Sequence, residues 1–175
     1  MRILALDLGS VTGVTYGVVG EIPATTVWRM PKGDAYEVGR FLASFEDKLD
    51  RALAAGVDLL ALEAYVPNSN FGQNNKNTDR RLGPMAGICE KQAFRAGIEV
   101  AEEYVGTIRK DFCGNGRAKK PEVMATAKLR GFFPHTHDEA DSIAVWWYAA
   151  KTYRPALAVR YDPLFKNEGA RRALF

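Results

Sequence analysis

The chain has 175 residues, a length that favours one domain, and its 47% hydrophobic and 26% charged content is ordinary for a globular protein with its own core. There is no run of about 18 apolar residues to cross a membrane, the opening Met1–Leu6 is too short for a secretory signal and meets an acid at Asp7, and Cys89 and Cys113 lack the CxxC spacing and read as free thiols; a cytoplasmic protein without membrane contact is expected. The net charge of +3 is unevenly spread: residues 106–130 carry seven basic and two acidic side chains, 131–150 three acids and no Lys or Arg, and 151–175 six basic and two acidic.

Two basic blocks around an acidic one suit a polyanion held over carboxylates, and equally a solvated surface with clustered charge. Ile3 to Leu6 is a continuous apolar run stopped by Asp7, the pattern of a buried strand with an acid at its end. Val14 to Val19 is β-branched and aromatic and predicts a second strand. Gly20-Glu21 is a turn, and Ala24 to Arg29 a third strand. Tight turns impose antiparallel pairing on these three.

Asp34 is a candidate cap for a helix running to about Ala55, with Val38, Phe41, Leu42, Phe45, Leu49 and Leu53 at helical spacing. Leu59 to Leu62 is another buried strand that meets an acid, Glu63. Pro67 to Asn77, rich in Asn, Ser, Gly and Gln, reads as a loop. A helix is expected over Arg80–Arg95, closed by Gly97, and a strand over Ile98–Val105. Residues 106–118 read as a Gly- and Arg-rich loop. Pro121 suits the first turn of a helix to Arg130. A last helix covers Asp138–Tyr153, with Ile143, Ala144, Trp147 and Ala150 in register and Trp146 and Trp147 as core or dimer-face residues. The sum is an α/β fold: a mixed five-stranded sheet, a three-strand antiparallel meander plus parallel strands, flanked by helices, over residues 1–153. Residues 154–175 read as a C-terminal tail, either an electrostatic arm or a disordered end.

Four acids occupy places where an acid is a poor structural choice. Asp7 and Glu63 end buried strands that, joined by one helix, are parallel neighbours finishing on the same sheet edge. Asp138 and Asp141 share one face of the first turn of the last helix. Any one of them is served equally well by capping a strand or helix. Gathered together, they need cations, and carboxylate oxygens suit Mg²⁺ with Mn²⁺ as a substitute. Two such ions are the machinery of phosphodiester hydrolysis. The basic residues Arg109, Lys110, Arg117, Lys119 and Lys120 lead into a helix start, itself an anion site, and are candidates for phosphate contact. His135 and His137 flank the last acidic pair, and His137 is read as supporting or incidental.

These residues resemble the RuvC family of Holliday-junction resolvases, which has an RNase H-like fold. Asp7-Leu8-Gly9-Ser10-Val11-Thr12-Gly13 is similar to that family's Asp-x-Gly-Ser-x-x-Thr-Gly element, one residue short before the Thr. Leu62-Glu63 with Tyr65, Leu82-Gly83-Pro84-Met85-Ala86-Gly87, Gly114-Asn115-Gly116 with Lys119-Lys120, and Asp138-Glu139-Ala140-Asp141-Ser142 follow in the family's order. The resemblance implies that Asp7 bridges two metals and that Glu63, Asp138 and Asp141 complete their shells. It implies that Lys120 and Arg109 act near the scissile phosphate, and that Tyr65 or Phe71 helps open the junction. It further implies a homodimer on a four-way DNA junction, nicked symmetrically to leave 5′-phosphates. The chain departs from the family in a longer segment between Glu63 and Leu82 and in its extra tail, which points to a phage or prophage version.

Three other readings stay open on the sequence alone: a nuclease for RNA–DNA hybrids or other branched DNA, a junction-binding protein without activity, and a nucleotide-binding domain of the actin and sugar-kinase class. The last needs a second domain and further Gly-rich phosphate loops, neither of which is in the sequence.

Overall fold

The structure is a computed structural model that describes residues 1–31, 37–66 and 76–161, the side chains of 76–79 excepted. Its strands are β1 (Arg2–Asp7), β2 (Val11–Val18), β3 (Ala24–Arg29), β4 (Leu59–Glu63) and β5 (Glu99–Glu103). Its helices are α1 (Val38–Ala54), α2 (Lys76–Ala96), α3 (Val105–Cys113), α4 (Lys120–Leu129), α5 (His137–Tyr153) and the short α6 (Pro155–Ala158), followed by a 3₁₀ turn, Val159–Tyr161. Among the described residues no helix is long and apolar enough to cross a membrane.

The five strands lie in the order β3-β2-β1-β4-β5. The β1/β2 and β2/β3 pairs are antiparallel, and the β1/β4 and β4/β5 pairs are parallel. This is the expected mixed sheet. Strand pleating divides its residues between two cores. Leu4, Leu6, Leu60 and Leu62 pack against Phe41, Phe45 and Leu49 of α1 and Met85 and Cys89 of α2. Ile3, Ala5, Leu59 and Ala61 pack on the other face, against α3, α4 and α5.

α5 is buried almost all round: Ala140, Ile143, Ala144, Val145, Trp146, Trp147, Ala149 and Ala150 are each at most 4% exposed. It lies between the sheet and an outer layer of α3, α4 and α6, so both tryptophans are core residues. Its start is fixed by contacts to β2. Gly13 faces the Asp138 backbone so closely that an added Cβ would overlap the Asp138 carbonyl oxygen. Two residues on, on the same face, the buried Thr15 and Ser142 hydroxyls are hydrogen-bonded at 2.8 Å, and Ser142 also donates to the Glu139 carbonyl at 2.9 Å.

Two expectations are corrected. Residues 106–113, expected to open a loop, form α3 together with Val105, expected to close a strand. Ile108 and Phe112, one turn apart, enter the core, and Gly114 at φ 77° closes the helix by donating to the Lys110 carbonyl. Burial of one apolar pair outweighs the glycines around it. The true loop is 114–119. Likewise the first residues of the expected tail are ordered against the domain: Tyr161 is 2% exposed, stacks among Phe132, Trp146 and Trp147, accepts a hydrogen bond from Gly20 N and donates to the Glu21 carbonyl. β2 begins at Val11, three residues earlier than its side chains indicate, and the Asp34 cap lies outside the described residues.

The Gly13 contact is testable. Gly13→Ala forces a methyl group into the α5 backbone, and overpacking of this kind lowers stability by about 1–3 kcal/mol. Urea denaturation of the variant is expected to show that loss; an unchanged midpoint would mean α5 is not seated by this contact.

Candidate active site

The sheet register delivers the first two acids. Leu6 pairs with Leu62 in the parallel β1/β4 ladder, so the residues that follow, Asp7 and Glu63, end their strands side by side. Both share pleat parity with Ile3, Ala5, Leu59 and Ala61, which face α5. Asp7 also pairs with Gly13 across the β1/β2 ladder, and Gly13 is the residue pressed on Asp138. A chain of backbone contacts thus runs from one acid to the helix carrying the other two. After Asp7 the strand turns through Gly9, held by the buried Thr12, whose hydroxyl donates to the Gly9 carbonyl at 2.8 Å.

The α5 terminus has its own cap. Thr136 Oγ1 accepts from Glu139 N at 3.2 Å, while the Glu139 carboxylate, 6% exposed, accepts from His135 N at 2.6 Å. The first bond satisfies an orphan amide of the helix start, the second ties the residue before the cap to the same glutamate, and Asp138 and Asp141 are left for other partners. Thr136-His137-Asp138-Glu139 has the Thr-x-x-Glu spacing of a helix start, and Glu139 shapes the site without standing among the four acids singled out from the sequence. His135 and His137 are both exposed.

Two cations stand among the acids. Lys120, the first residue of α4, places Nζ 2.9 Å from Asp138 Oδ1 and 3.5 Å from Asp141 Oδ2. Arg109, on α3, places Nη2 3.3 Å from Asp141 Oδ1 and donates through Nη1 to the Ala118 carbonyl at 3.0 Å. Among the described residues, no group of three or more His, Cys, Asp or Glu is gathered to hold a metal ion as it stands.

The field is nevertheless short of positive charge. Burial, then Asp141 and Glu63, push the Asp7 carboxyl from its ordinary 3.8 up to about 8, against the pull of Lys120. Glu63 is raised by burial, with Arg109 opposing and Asp141 adding to the shift. Lys120 is itself raised, its partial burial outweighed by Asp138, Asp141 and Asp7. Carboxylate oxygens in an under-compensated field are donors of the class that hard divalent cations accept.

The structure therefore sets Asp7, Glu63, Asp138, Asp141, Lys120 and Arg109 within one electrostatic field. Lys110, Arg117 and Lys119 are exposed around the α3–α4 loop, where Lys119 N donates to Glu122 at 2.7 Å to open α4. Tyr65, just beyond β4, lies partly buried with its ring against Gly83 of α2. Phe71 lies outside the described residues.

Comparison with known proteins agrees with this geometry. No protein-family model matches the chain. The crossover junction endodeoxyribonuclease RuvC of Anaeromyxobacter dehalogenans is 35% identical over 153 residues, covering 83% of this chain and 78% of that protein. The chain belongs to the RuvC family. RuvC of Sorangium cellulosum aligns over 99% of the chain and 98% of its own length at 27% identity. The solved structure of Thermus thermophilus RuvC in complex with Holliday junction substrate matches with a TM-score of 0.66 at 20% identity, covering 87% of this chain and 94% of that one. That likeness shows a shared RuvC fold, including the mixed sheet.

The raised Asp7 carboxyl has a consequence for stability. Its folded value of about 8 lies above the ordinary 3.8, so the fold favours the neutral form. In chelator, its contribution to stability is full below pH 3.8, declines as pH rises toward 8, and is lost above that. Asp7→Asn, neutral throughout, is therefore expected to melt higher than the parent at pH 8 in EDTA, with the gap closing toward pH 4. Equal melting temperatures at both ends would refute the shift.

Proposed function

We propose that this RuvC-family chain is a metal-dependent endodeoxyribonuclease that resolves four-way DNA junctions as a homodimer, by paired symmetric nicks leaving 5′-phosphates. What supports this reading is the electrostatic field that Asp7, Glu63, Asp138 and Asp141 share where β1 and β4 end against α5, in a chain 35% identical over 153 residues to a crossover junction endodeoxyribonuclease. Isolated acids cap strands and helices; four acids sharing one field raise each other's energy and persist where they hold cations.

On this reading the four carboxylates hold two Mg²⁺ ions, with Mn²⁺ able to replace them. Ions held there would supply the Lewis-acid chemistry that phosphodiester hydrolysis needs. The chain's own residues set the stage. Asp7 and Glu63, fixed by the strand ladder, present oxygens from the sheet. Asp138 and Asp141 present theirs from α5, whose seat on Gly13 sets their height above β1. Burial around Asp7 keeps bulk water off its carboxylate, which strengthens every charge interaction in the site. Lys120 supplies an ammonium to the non-bridging oxygens of the scissile phosphate.

Lys110, Arg117 and Lys119 extend the cationic surface along the loop before α4. They suit flanking phosphates, whose contribution to affinity is independent of sequence and falls with salt. Tyr65 or Phe71 is proposed to stack at the junction centre.

The test is a cleavage panel in Mg²⁺ comparing four-way, three-way and flap DNA with an RNA–DNA hybrid. Four-way junctions are expected to be cut preferentially, into pairs of 5′-phosphorylated nicks. Asp7→Asn is expected to lower the rate by about 10²–10³-fold or more, the scale of losing one electrostatic element of an active site, while junction binding persists. Preference for the hybrid, or cleavage unaffected by EDTA, would reject the proposal.

A further inference from the structure

Lys120 and Arg109 both neutralise the acid cluster, but they are held in different ways. The Arg109 side chain is 24% exposed and tied at two points: Asp141 on α5 and the carbonyl of the buried Ala118. Withdrawing it would leave that carbonyl without its guanidinium donor. The Lys120 side chain is 50% exposed, and its ammonium pairs with Asp138 and Asp141, both on α5. Among the described residues no other hydrogen bond or ion pair anchors it, and its flexible stem opens to solvent.

Asp138 Oδ1 and Asp141 Oδ2, the atoms Lys120 contacts, belong to the carboxylates read above as ion ligands. An ammonium and a divalent cation compete for the same oxygens, since each repels the other at contact distance. We propose that Lys120 is a displaceable counter-ion, which neutralises Asp138 and Asp141 while the site is empty of metal and gives way when a divalent ion binds. Arg109 stays in place as the fixed cation that positions Asp141. This deepens the nuclease reading and rests on it. The consequence is coupling: the Lys120 ammonium becomes free for a DNA phosphate only once the carboxylates have taken up metal, so a metal-free protein keeps this cation folded onto itself.

The competition is measurable without catalysis. Mn²⁺ alone is titrated into the full chain by calorimetry, without DNA. Lys120→Met keeps the stem and removes the charge, so it is expected to bind Mn²⁺ at least about fivefold more tightly than the parent, the factor for no longer breaking one ion pair of unit charges about 4 Å apart even in a water-like medium. Lys120→Arg keeps the charge and is expected to gain no such affinity. Lys120→Gln serves as a second neutral variant, with thermal melts confirming that each protein is folded. Equal or weaker Mn²⁺ binding by both neutral variants would overturn the displacement proposal while leaving the ion site standing. No Mn²⁺ uptake by the parent, with Asp7→Asn indistinguishable from it, would remove both.

Discussion

The site depends on how closely α5 approaches β2. Helix backbones normally rest on a sheet through side chains, which keeps the two apart. Here Gly13 has only hydrogen to offer, and the Asp138 carbonyl fills the space where a Cβ would stand. The hydroxyl pair Thr15–Ser142, buried at 2.8 Å, fixes the next turn of the helix. A small residue followed by a matched polar pair specifies both the depth and the rotation of α5. Helix capping by Thr136 and Glu139 then specifies where it begins. Asp138 and Asp141 inherit their positions from these three devices.

The sheet supplies the complementary half. Register and pleat are separate constraints, and both must hold. Register aligns Leu6 with Leu62, so the acids end level with one another. Pleat parity turns them toward α5 rather than toward α1 and α2, since a one-residue slip would send each to the opposite face. The apolar runs Ile3–Leu6 and Leu59–Leu62, buried on both sides, leave little freedom for such a slip. The fold's apolar energetics thus hold a cluster of charge that is unfavourable by itself.

Much of this was legible in the amino-acid order. Uninterrupted apolar runs stopped by Asp7 and Glu63 announce buried parallel strands with acids at one edge, and an Asp pair three apart announces a shared helix face, although the helix starts at His137 and leaves Asp141 beyond its first turn. The element order and the family resemblance follow from the same residues. Local signals failed where a long-range contact decides. α3 was hidden because Gly106, Gly114 and Gly116 suggest a loop, while the burial of Ile108 and Phe112 is visible only once α5 lies beneath them. Gly13 resembles any turn glycine until Asp138, far along the chain, is placed on it. Arg109 and Lys120 look like surface cations for phosphate in a linear string; their carboxylate partners are on another helix.

The Tyr161 hydroxyl, fastened to Gly20 N and the Glu21 carbonyl, has an implication for synthesis. Val19 N, one residue before that turn, is bonded to the Met1 carbonyl, so the first and the last described residues meet at the same hairpin. A nascent chain can pair β1 with β2 early, yet the aromatic nest of Phe132, Trp146 and Trp147 stays open until residue 161 has cleared the ribosome. Until α5 has emerged, the sheet face of Ile3, Ala5, Leu59 and Ala61 lacks its cover, the kind of exposed apolar surface that makes a partly synthesised chain prone to aggregate.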